Sequence, residues 1–63
     1  MQKTSATLLL IDDDEVVRAS IAAYLEDSGF NILLAGNGMQ GLEVFERERP
    51  DLVICDLRMP QVD

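Results

Sequence analysis

The chain has 63 residues, 12 of them acidic and 5 basic, and its formal net charge of −7 argues against direct binding of nucleic acid. It contains no histidine and one cysteine, which excludes an internal disulfide and a structural zinc site built from those ligands. A hydrophobic content of 48% with 27% charged residues is typical of a globular protein rather than a disordered one. No stretch is apolar for long enough to form a signal peptide or a membrane span, so we expect a cytoplasmic protein.

The apolar pattern predicts five elements in the order β-α-β-α-β, which indicates an α/β fold. Short apolar runs, "TLLLI", "NILLA" and "DLVIC", predict strands over about 7–11, 31–35 and 51–55. Apolar residues at helical spacing predict helices over about 15–28 and 39–49. Because strands and helices alternate with short links, we expect a parallel sheet with right-handed crossovers and helices on its faces.

Local signals mark where the two helices begin and end. Asp14 is a candidate N-cap for the first helix, and Gly29 stands where a left-handed residue would end it. Asn37 and Gln40 have the spacing of a capping box at the start of the second helix, which Pro50 stops. These signals agree with the helix bounds that the apolar spacing predicts.

The same periodicity predicts which side chains are buried. In the first helix one stripe contains Val17, Ile21, Tyr24, Leu25 and Ser28, and in the second Gly38, Leu42 and Phe45 share a face. The single cysteine, Cys55, lies inside the third apolar run, where a free cysteine usually behaves as a small buried hydrophobe.

Four consecutive acids, Asp12, Asp13, Asp14 and Glu15, follow the first strand, and Asp56 follows the third. Asp14 and Glu15 suit the positive end of the first helix. In parallel α/β sheets the functional crevice lies beyond the carboxyl ends of the strands. If the first and third strands are neighbours, Asp12, Asp13 and Asp56 meet at one rim, although a solvated strand end is the alternative for the first two.

Three carboxylates at one rim repel one another unless a cation compensates their charge. Mg²⁺ suits such a site, because it prefers oxygen ligands and is commonly held by one or two carboxylates together with a phosphate. A carboxylate beside Mg²⁺ can also act as the nucleophile in phosphoryl transfer. The acid cluster therefore predicts a metal and phosphate site.

A glycine motif supports an alternative hypothesis. The stretch "GNGMQG" matches G-x-G-x-x-G through Gly36, Gly38 and Gly41, and it follows a strand and opens a helix. Asp56 comes 20 residues after Gly36 at the end of the next strand, which is close to the pattern of a dinucleotide-binding βαβ unit. The glycines also have a simple structural interpretation as a tight turn with close helix packing.

The pieces "LLLIDDDEVVR", "AGNGMQGLEVF" and "PDLVICDLRMP" closely resemble, in order and spacing, the receiver domain of bacterial response regulators, the chemotaxis-regulator-like family. The resemblance covers essentially the whole chain and implies the first half of a flavodoxin-like, doubly wound parallel sheet with strand order 2-1-3. Within that family the motifs are similar to those of RssB-type regulators, in which a receiver precedes a phosphatase-like output domain.

The resemblance also implies roles for individual residues. Asp56 matches the aspartate that accepts a phosphoryl group. Asp12 and Asp13 match the acid pair that holds Mg²⁺ (or Mn²⁺), Asp13 directly and Asp12 through water, and the backbone carbonyl of Arg58 would be a further ligand. The chain would then be a phosphoacceptor rather than an enzyme, except for autophosphorylation and dephosphorylation in the intact domain. Its partners would be a histidine kinase or phosphotransfer protein, or a small phosphodonor.

Receivers of this family have five strands in the order 2-1-3-4-5, whereas residues 1–63 provide three. We therefore expect a partial receiver without its output domain, lacking the switch residues that would lie beyond Asp63. In strand order 2-1-3 the third strand is an edge that is apolar on both sides, and such an edge invites pairing with another chain. This predicts a homodimer or a larger assembly through the third strand, so that the alternative function is that of a self-associating half-domain.

Overall fold

The computed structural model describes residues 5–56. Within them the chain forms β1 (Thr7–Asp12), α1 (Glu15–Asp27), β2 (Asn31–Ala35), α2 (Gly38–Glu48) and β3 (Leu52–Asp56). The predicted order β-α-β-α-β is confirmed. Neither of the described helices is long and apolar enough to cross a membrane.

The three strands form one parallel sheet in the order β2-β1-β3, as predicted. β1 is the central strand, with Leu9 paired to Leu33 on one side and to Val53 on the other. Each helix packs back onto β1 and β2, as is usual in parallel βαβ units. The strand that carries the densest apolar run therefore lies in the middle.

The core lies on the two faces of β1. On one face Leu8 and Leu10 pack with Ala22 of α1, and on the other Leu9 and Ile11 pack with Ala35. Leu9 and Leu10 are completely buried. Strands that are apolar on both faces are usually covered on both faces in parallel sheets, and α1 and α2 provide that cover for β1.

The caps predicted for α1 are confirmed. The side chain of Asp14 accepts hydrogen bonds from the backbone N–H groups of Val16 (3.0 Å) and Val17 (3.1 Å). At the other end Ser28 is the C-cap and Gly29 has a φ of +103°, a left-handed conformation that glycine adopts at little cost. The helix ends at Asp27, one residue earlier than predicted, because Ser28 already leaves the helical conformation.

The second helix begins and ends one residue before its predicted bounds. Asn37 is its N-cap and accepts a hydrogen bond from the backbone N–H of Gln40 at 2.8 Å. Arg49 is the C-cap with a left-handed φ of 51°, since the residue before Pro50 is disfavoured from the α-helical conformation. Both signals were in the sequence, and only the exact terminal residue differs.

The predicted buried faces of the helices are partly wrong. In α1, Ile21 and Leu25 pack on the core as predicted, but Tyr24 is 72% exposed and Ser28 is exposed. The stripe that faces the sheet is centred nearer Ala22, about 160° around the helix from Tyr24 at 3.6 residues per turn.

In α2 the face that packs on the sheet contains Gly41 and Val44 instead of the predicted Gly38, Leu42 and Phe45. A Cβ atom on Gly41 would overlap Cδ1 of Ile11 and lie 2.9 Å from its Cγ1. Gly41 thus allows the helix to approach β1 closely. This close approach turns Leu42, which is 58% exposed, away from the sheet.

β3 lies at the edge of the sheet in the described residues, as the predicted strand order implied, but Cys55 is not buried as predicted. All five of its residues are exposed, including Cys55, and within residues 5–56 neither helix contacts this strand. The strand is joined to β1 at its start by a reciprocal pair of hydrogen bonds. The backbone N–H of Thr7 donates to Oδ2 of Asp51, and the N–H of Asp51 donates to the carbonyl oxygen of Thr7, both at 2.8 Å. Asp51 therefore precedes the strand rather than beginning it.

Candidate functional site

β1 and β3 both end in an aspartate, and these two residues are register partners. Asp12 lies opposite Asp56 in the ladder between the neighbouring parallel strands. Register partners on adjacent parallel strands project from the same face of a sheet, so both carboxylates lie on one face of its carboxyl-terminal edge. The sequence predicted that these two acids meet, and the strand order brings them together.

The environment of Asp12 is unusual for a carboxylate. Asp12 is only 2% exposed. Oδ1 accepts a hydrogen bond from the backbone N–H of Asp14 at 2.9 Å, whereas Oδ2 is buried and has no hydrogen-bond donor within residues 5–56. A buried carboxylate oxygen without a partner is costly, by roughly 1–3 kcal/mol or more for a charged group. Such an atom is suited to a ligand that supplies positive charge.

Arg18 holds the backbone at the same point. Its Nη1 donates a hydrogen bond of 2.8 Å to the carbonyl oxygen of Asp12. Arg18 is on the first turns of α1, six residues along the chain from Asp12, and it is half-buried. Sequence reasoning missed this contact because Arg18 lies off the apolar stripe, where a charged residue is normally assigned to solvent.

Asp14 and Glu15 have the structural role that the sequence predicted for them. Asp14 caps α1 with its side chain, and Glu15 is the exposed acid of the first turn, where a negative charge interacts favourably with the helix dipole. Asp14 and Glu15 therefore stabilise the start of α1, whereas Asp12 and Asp13 lie at the edge of the sheet.

The remaining predicted site residues are less constrained. Asp13 is exposed in the turn between β1 and α1, and Asp56 is exposed at the end of β3. The carbonyl of Arg58 lies outside the described residues. Within residues 5–56 no group of three or more acidic or cysteine side chains is close enough to hold a metal ion. The structure thus pairs Asp12 with Asp56 and leaves Asp13 beside them along the chain.

The donor set nevertheless fits Mg²⁺. Asp12 and its register partner Asp56 both offer carboxylate oxygens, which Mg²⁺ prefers, and Oδ2 of Asp12 has no hydrogen-bond donor within residues 5–56. Mg²⁺ retains several waters and needs only one or two protein carboxylates, so a complete protein cage is not required. Of the three predicted side-chain ligands, Asp12 and Asp56 are register partners and fit such a site, whereas the predicted meeting of all three carboxylates is not found within residues 5–56.

The glycines of "GNGMQG" have roles within the fold. The N–H of Gly36 donates to Oε1 of Gln40 at 2.8 Å, so this turn already uses an amide that a phosphate would need. Gly41 allows the approach of Ile11, and a Cβ on Gly38 would meet nothing within 4 Å. No observation in the described residues favours dinucleotide binding over this structural interpretation.

Comparisons with known proteins identify the family of the chain. Residues 8–63 match the family described as the response regulator receiver domain. Response regulator Rre1 of Synechocystis sp. is 48% identical over 58 residues, which cover 90% of this chain and 25% of the relative. The autoinducer 1 sensor kinase/phosphatase LuxN of Vibrio harveyi is 45% identical over 56 residues, 89% of this chain and 7% of LuxN.

The transcriptional regulatory protein GlrR of Escherichia coli is 41% identical over 63 residues, which cover the whole of this chain and 14% of GlrR. This chain thus spans a quarter or less of the length of each of these relatives. The family match covers nearly all of its residues, and the strand order and the paired acids agree with it. The chain therefore belongs to the response regulator receiver domain family.

Proposed function

We propose that this chain is a phosphoacceptor region of a two-component response regulator, with Asp56 as the residue that accepts the phosphoryl group. The observation that supports this most strongly is the pairing of Asp56 with Asp12, whose buried Oδ2 lacks a donor within the described residues. Asp56 is exposed, as a residue that must meet a second protein has to be.

In the proposed reaction a carboxylate oxygen of Asp56 attacks the phosphorus of the donor. A P–O bond to Asp56 forms as the bond from phosphorus to the leaving group breaks, and the leaving group departs with the bonding electron pair. For a phosphohistidine donor the imidazole nitrogen keeps that pair and takes a proton from water. The product is an acyl phosphate on Asp56.

The metal of the proposed reaction is Mg²⁺, with Mn²⁺ as the alternative. Asp12, Asp13 and Asp56 would hold it together with the carbonyl of Arg58, and Asp12 would act through water. Bound Mg²⁺ neutralises charge on the phosphoryl oxygens. The chain's own contribution is to keep Asp12 and Asp56 on one face of the sheet, so that the negative charge of both carboxylates is available at one place.

The partners follow from this function. The donor would be a histidine kinase, a phosphotransfer protein or a small phosphodonor. The similarity to RssB-type regulators and the cytoplasmic location stay predictions from the sequence. The proposed role is that of a phosphoacceptor, with enzymatic chemistry restricted to the turnover of its own phosphoryl group.

A titration with Mg²⁺ followed by NMR of the backbone amides tests the metal site. We expect shifts at Asp13, Asp14 and Asp56, and much weaker shifts in Asp13→Asn and Asp56→Asn. The matched control is Asp27→Asn, which removes the same charge at the far end of α1 and should keep the wild-type response. A response that is spread over the whole surface, or that survives both site substitutions, would contradict the proposal.

Incubation with acetyl phosphate and Mg²⁺ tests the acceptor separately. We expect intact mass spectrometry to show the addition of one phosphoryl group that hydroxylamine removes, since acyl phosphates react with hydroxylamine. The addition should disappear in Asp56→Asn and persist in Asp27→Asn. A modification that persists in Asp56→Asn would assign the acceptor to a different residue.

A specific observation favours a second property, self-association through β3. The strand pairs with β1 on one side, while Leu52, Val53 and Ile54 are 51%, 45% and 40% exposed. A strand edge that is exposed, apolar and without a partner strand in the described residues is a template for another strand. Because two copies with a net charge of −7 repel each other, association through this edge should strengthen with salt.

Sedimentation velocity at several concentrations tests this property. We expect a dimer that forms with increasing concentration and is lost in Val53→Lys, which places a charge on the β3 edge. Leu42→Lys is the matched control, since it places the same charge on an exposed apolar position of α2. A monomer at every concentration and salt, or equal effects of the two substitutions, would refute association through β3.

A further inference from the structure

Arg18 connects three segments around the acidic edge. Its backbone belongs to α1, and its Nη1 donates to the carbonyl oxygen of Asp12 at the end of β1. The same Nη1 lies 3.1 Å from the position that a Cβ atom would take on Gly36, in the turn between β2 and α2. One guanidinium group therefore lies between the end of β1 and the start of the neighbouring turn.

Gly36 provides the space for this contact. A Cβ atom there would be 3.1 Å from Nη1 of Arg18, 3.9 Å from its Cζ and 3.4 Å from Oε1 of Gln40. The distance to Nη1 is shorter than an ordinary van der Waals contact, so any side chain would push the guanidinium away. Unlike Gly29, Gly36 does not have a left-handed φ, and the packing of Arg18 is what the glycine accommodates.

The contact acts on the segment that carries the acids. Asp12 is held through its carbonyl by Arg18 and through Oδ1 by the N–H of Asp14, and Asp14 in turn caps α1. These bonds close the turn from Asp12 to Arg18 and leave Oδ2 as the one Asp12 oxygen without a donor in the described residues. A hydrogen bond to a half-buried guanidinium is among the stronger kinds.

We propose that Arg18 is a positioning residue for divalent-cation binding: it fixes the backbone of Asp12 against Gly36 and so presents the free oxygen of Asp12 beside Asp56. This inference rests on the proposed function, because it specifies how the metal site is kept in order. The ligand class is a hard divalent cation that prefers oxygen.

Charge and geometry make opposite predictions here. Arg18 carries a positive charge near the site, so an effect of charge alone predicts that its removal tightens the binding of a cation. If Arg18 positions Asp12, its removal loosens the carboxylate and weakens binding. Residues that orient metal ligands typically change affinity by about 10–100-fold when they are lost.

The experiment measures the Mg²⁺ dissociation constant by NMR from the amide signals of the folded protein, in wild type and in Arg18→Ala. We expect binding to be roughly tenfold weaker in Arg18→Ala. The matched control is Arg47→Ala, which removes an equal charge from an exposed residue of α2 that pairs with Glu48. The control should leave the constant unchanged or slightly lower it.

Gly36→Ala provides a second variant that changes no charge and keeps Arg18. The added methyl group should displace the guanidinium and weaken Mg²⁺ binding, by less than Arg18→Ala does. Its control is Gly38→Ala, where the added Cβ would meet nothing within 4 Å. This pair decides the matter even if Arg18→Ala does not fold.

A purely structural role is distinguished by comparing affinity with stability. If Arg18 only stabilises the fold, its loss lowers the urea midpoint while the folded fraction binds Mg²⁺ as wild type does, and the proposal is overturned. Equal or tighter binding in Gly36→Ala, with a wild-type site intact, likewise overturns this inference alone, whether or not Arg18→Ala folds. A wild-type chain that shows no localised response to Mg²⁺ overturns the proposed function and this inference together.

Discussion

β1 and β3 have similar sequences but opposite burial. Each is a short apolar run that ends in aspartate, and the two strands are paired in register. Yet Leu8 of β1 is 2% exposed, whereas its register partner Leu52 of β3 is 51% exposed. The difference arises because α1 and α2 both pack over β1 and β2, and in the described residues neither reaches β3. An apolar side chain favours burial, but whether it is buried depends on whether a helix packs over its strand.

The same contrast extends to the two aspartates. Asp12 is buried and held by backbone hydrogen bonds, and Asp56 is exposed. An ordered acid beside an accessible one suits the division of labour in the proposed function, where one carboxylate serves the cation and the other also meets the phosphodonor. The difference in burial between the strands therefore concerns the candidate site as well as the core.

Truncation of the register partners Leu8 and Leu52 tests the difference in burial between β1 and β3 most directly. Leu8→Ala should lower the free energy of unfolding by about 2–5 kcal/mol, because it leaves a cavity in the core. Leu52→Ala should lower it by about 1 kcal/mol or less, since half of that residue is already in water. Urea unfolding followed by circular dichroism measures both. Equal losses would mean that β3 is covered in solution.

A second substitution sharpens the reason why β1 is covered so closely. Gly41→Ala places a methyl group where Ile11 now lies, and we expect it to lower the free energy of unfolding by about 1–3 kcal/mol through overpacking. Gly38→Ala, in the same helix but with open space around it, should be neutral or slightly stabilising. If both substitutions have the same effect in thermal unfolding, close packing of α2 on β1 is not what Gly41 provides.

The smallest expected effect concerns the turn that follows β1. Asp14→Ala removes the cap from two N–H groups of α1 and should cost about 1 kcal/mol. Asp27→Ala, which removes an acid from the carboxyl-terminal end of the same helix, should be neutral or slightly stabilising because that end of the dipole disfavours negative charge. Chemical denaturation compares the two. A larger loss from Asp27→Ala would contradict this account of the helix ends.

Local features of the structure could be predicted from the sequence, and features that depend on docking could not. The caps at Asp14, Gly29 and Asn37 follow from short-range chemistry, and the alternation of elements indicated the parallel sheet. The face of α2 was predicted wrongly because the approach of Gly41 to Ile11 is decided only when the helix packs. The packing of Arg18 against Gly36 was missed for the same reason, since it joins segments that are far apart in the chain.

The candidate site likewise has features that the sequence predicts and features that depend on how the helices pack. The meeting of Asp12 and Asp56 could be predicted, because parallel strands end at a common edge. Their different exposure could not, since it depends on which strand the helices cover. Oδ2 of Asp12 lacks a hydrogen-bond donor in the described residues because of the geometry of the turn, and neither residue type nor spacing predicts that geometry.

The two-way bond between Thr7 and Asp51 has a consequence at the opposite end of β3. The run "LVIC" is apolar at every position, so its pattern alone would not oppose a shift of the strand by one residue along β1. A shift of that size would carry the Asp56 side chain to the other side of the sheet and separate it from Asp12. The two hydrogen bonds between Thr7 and Asp51 lie five positions before Asp56, about 17 Å away at the usual rise per residue. They favour the register in which Asp56 lies opposite Asp12. The register of the two candidate site residues therefore depends on hydrogen bonds at the opposite end of the strand.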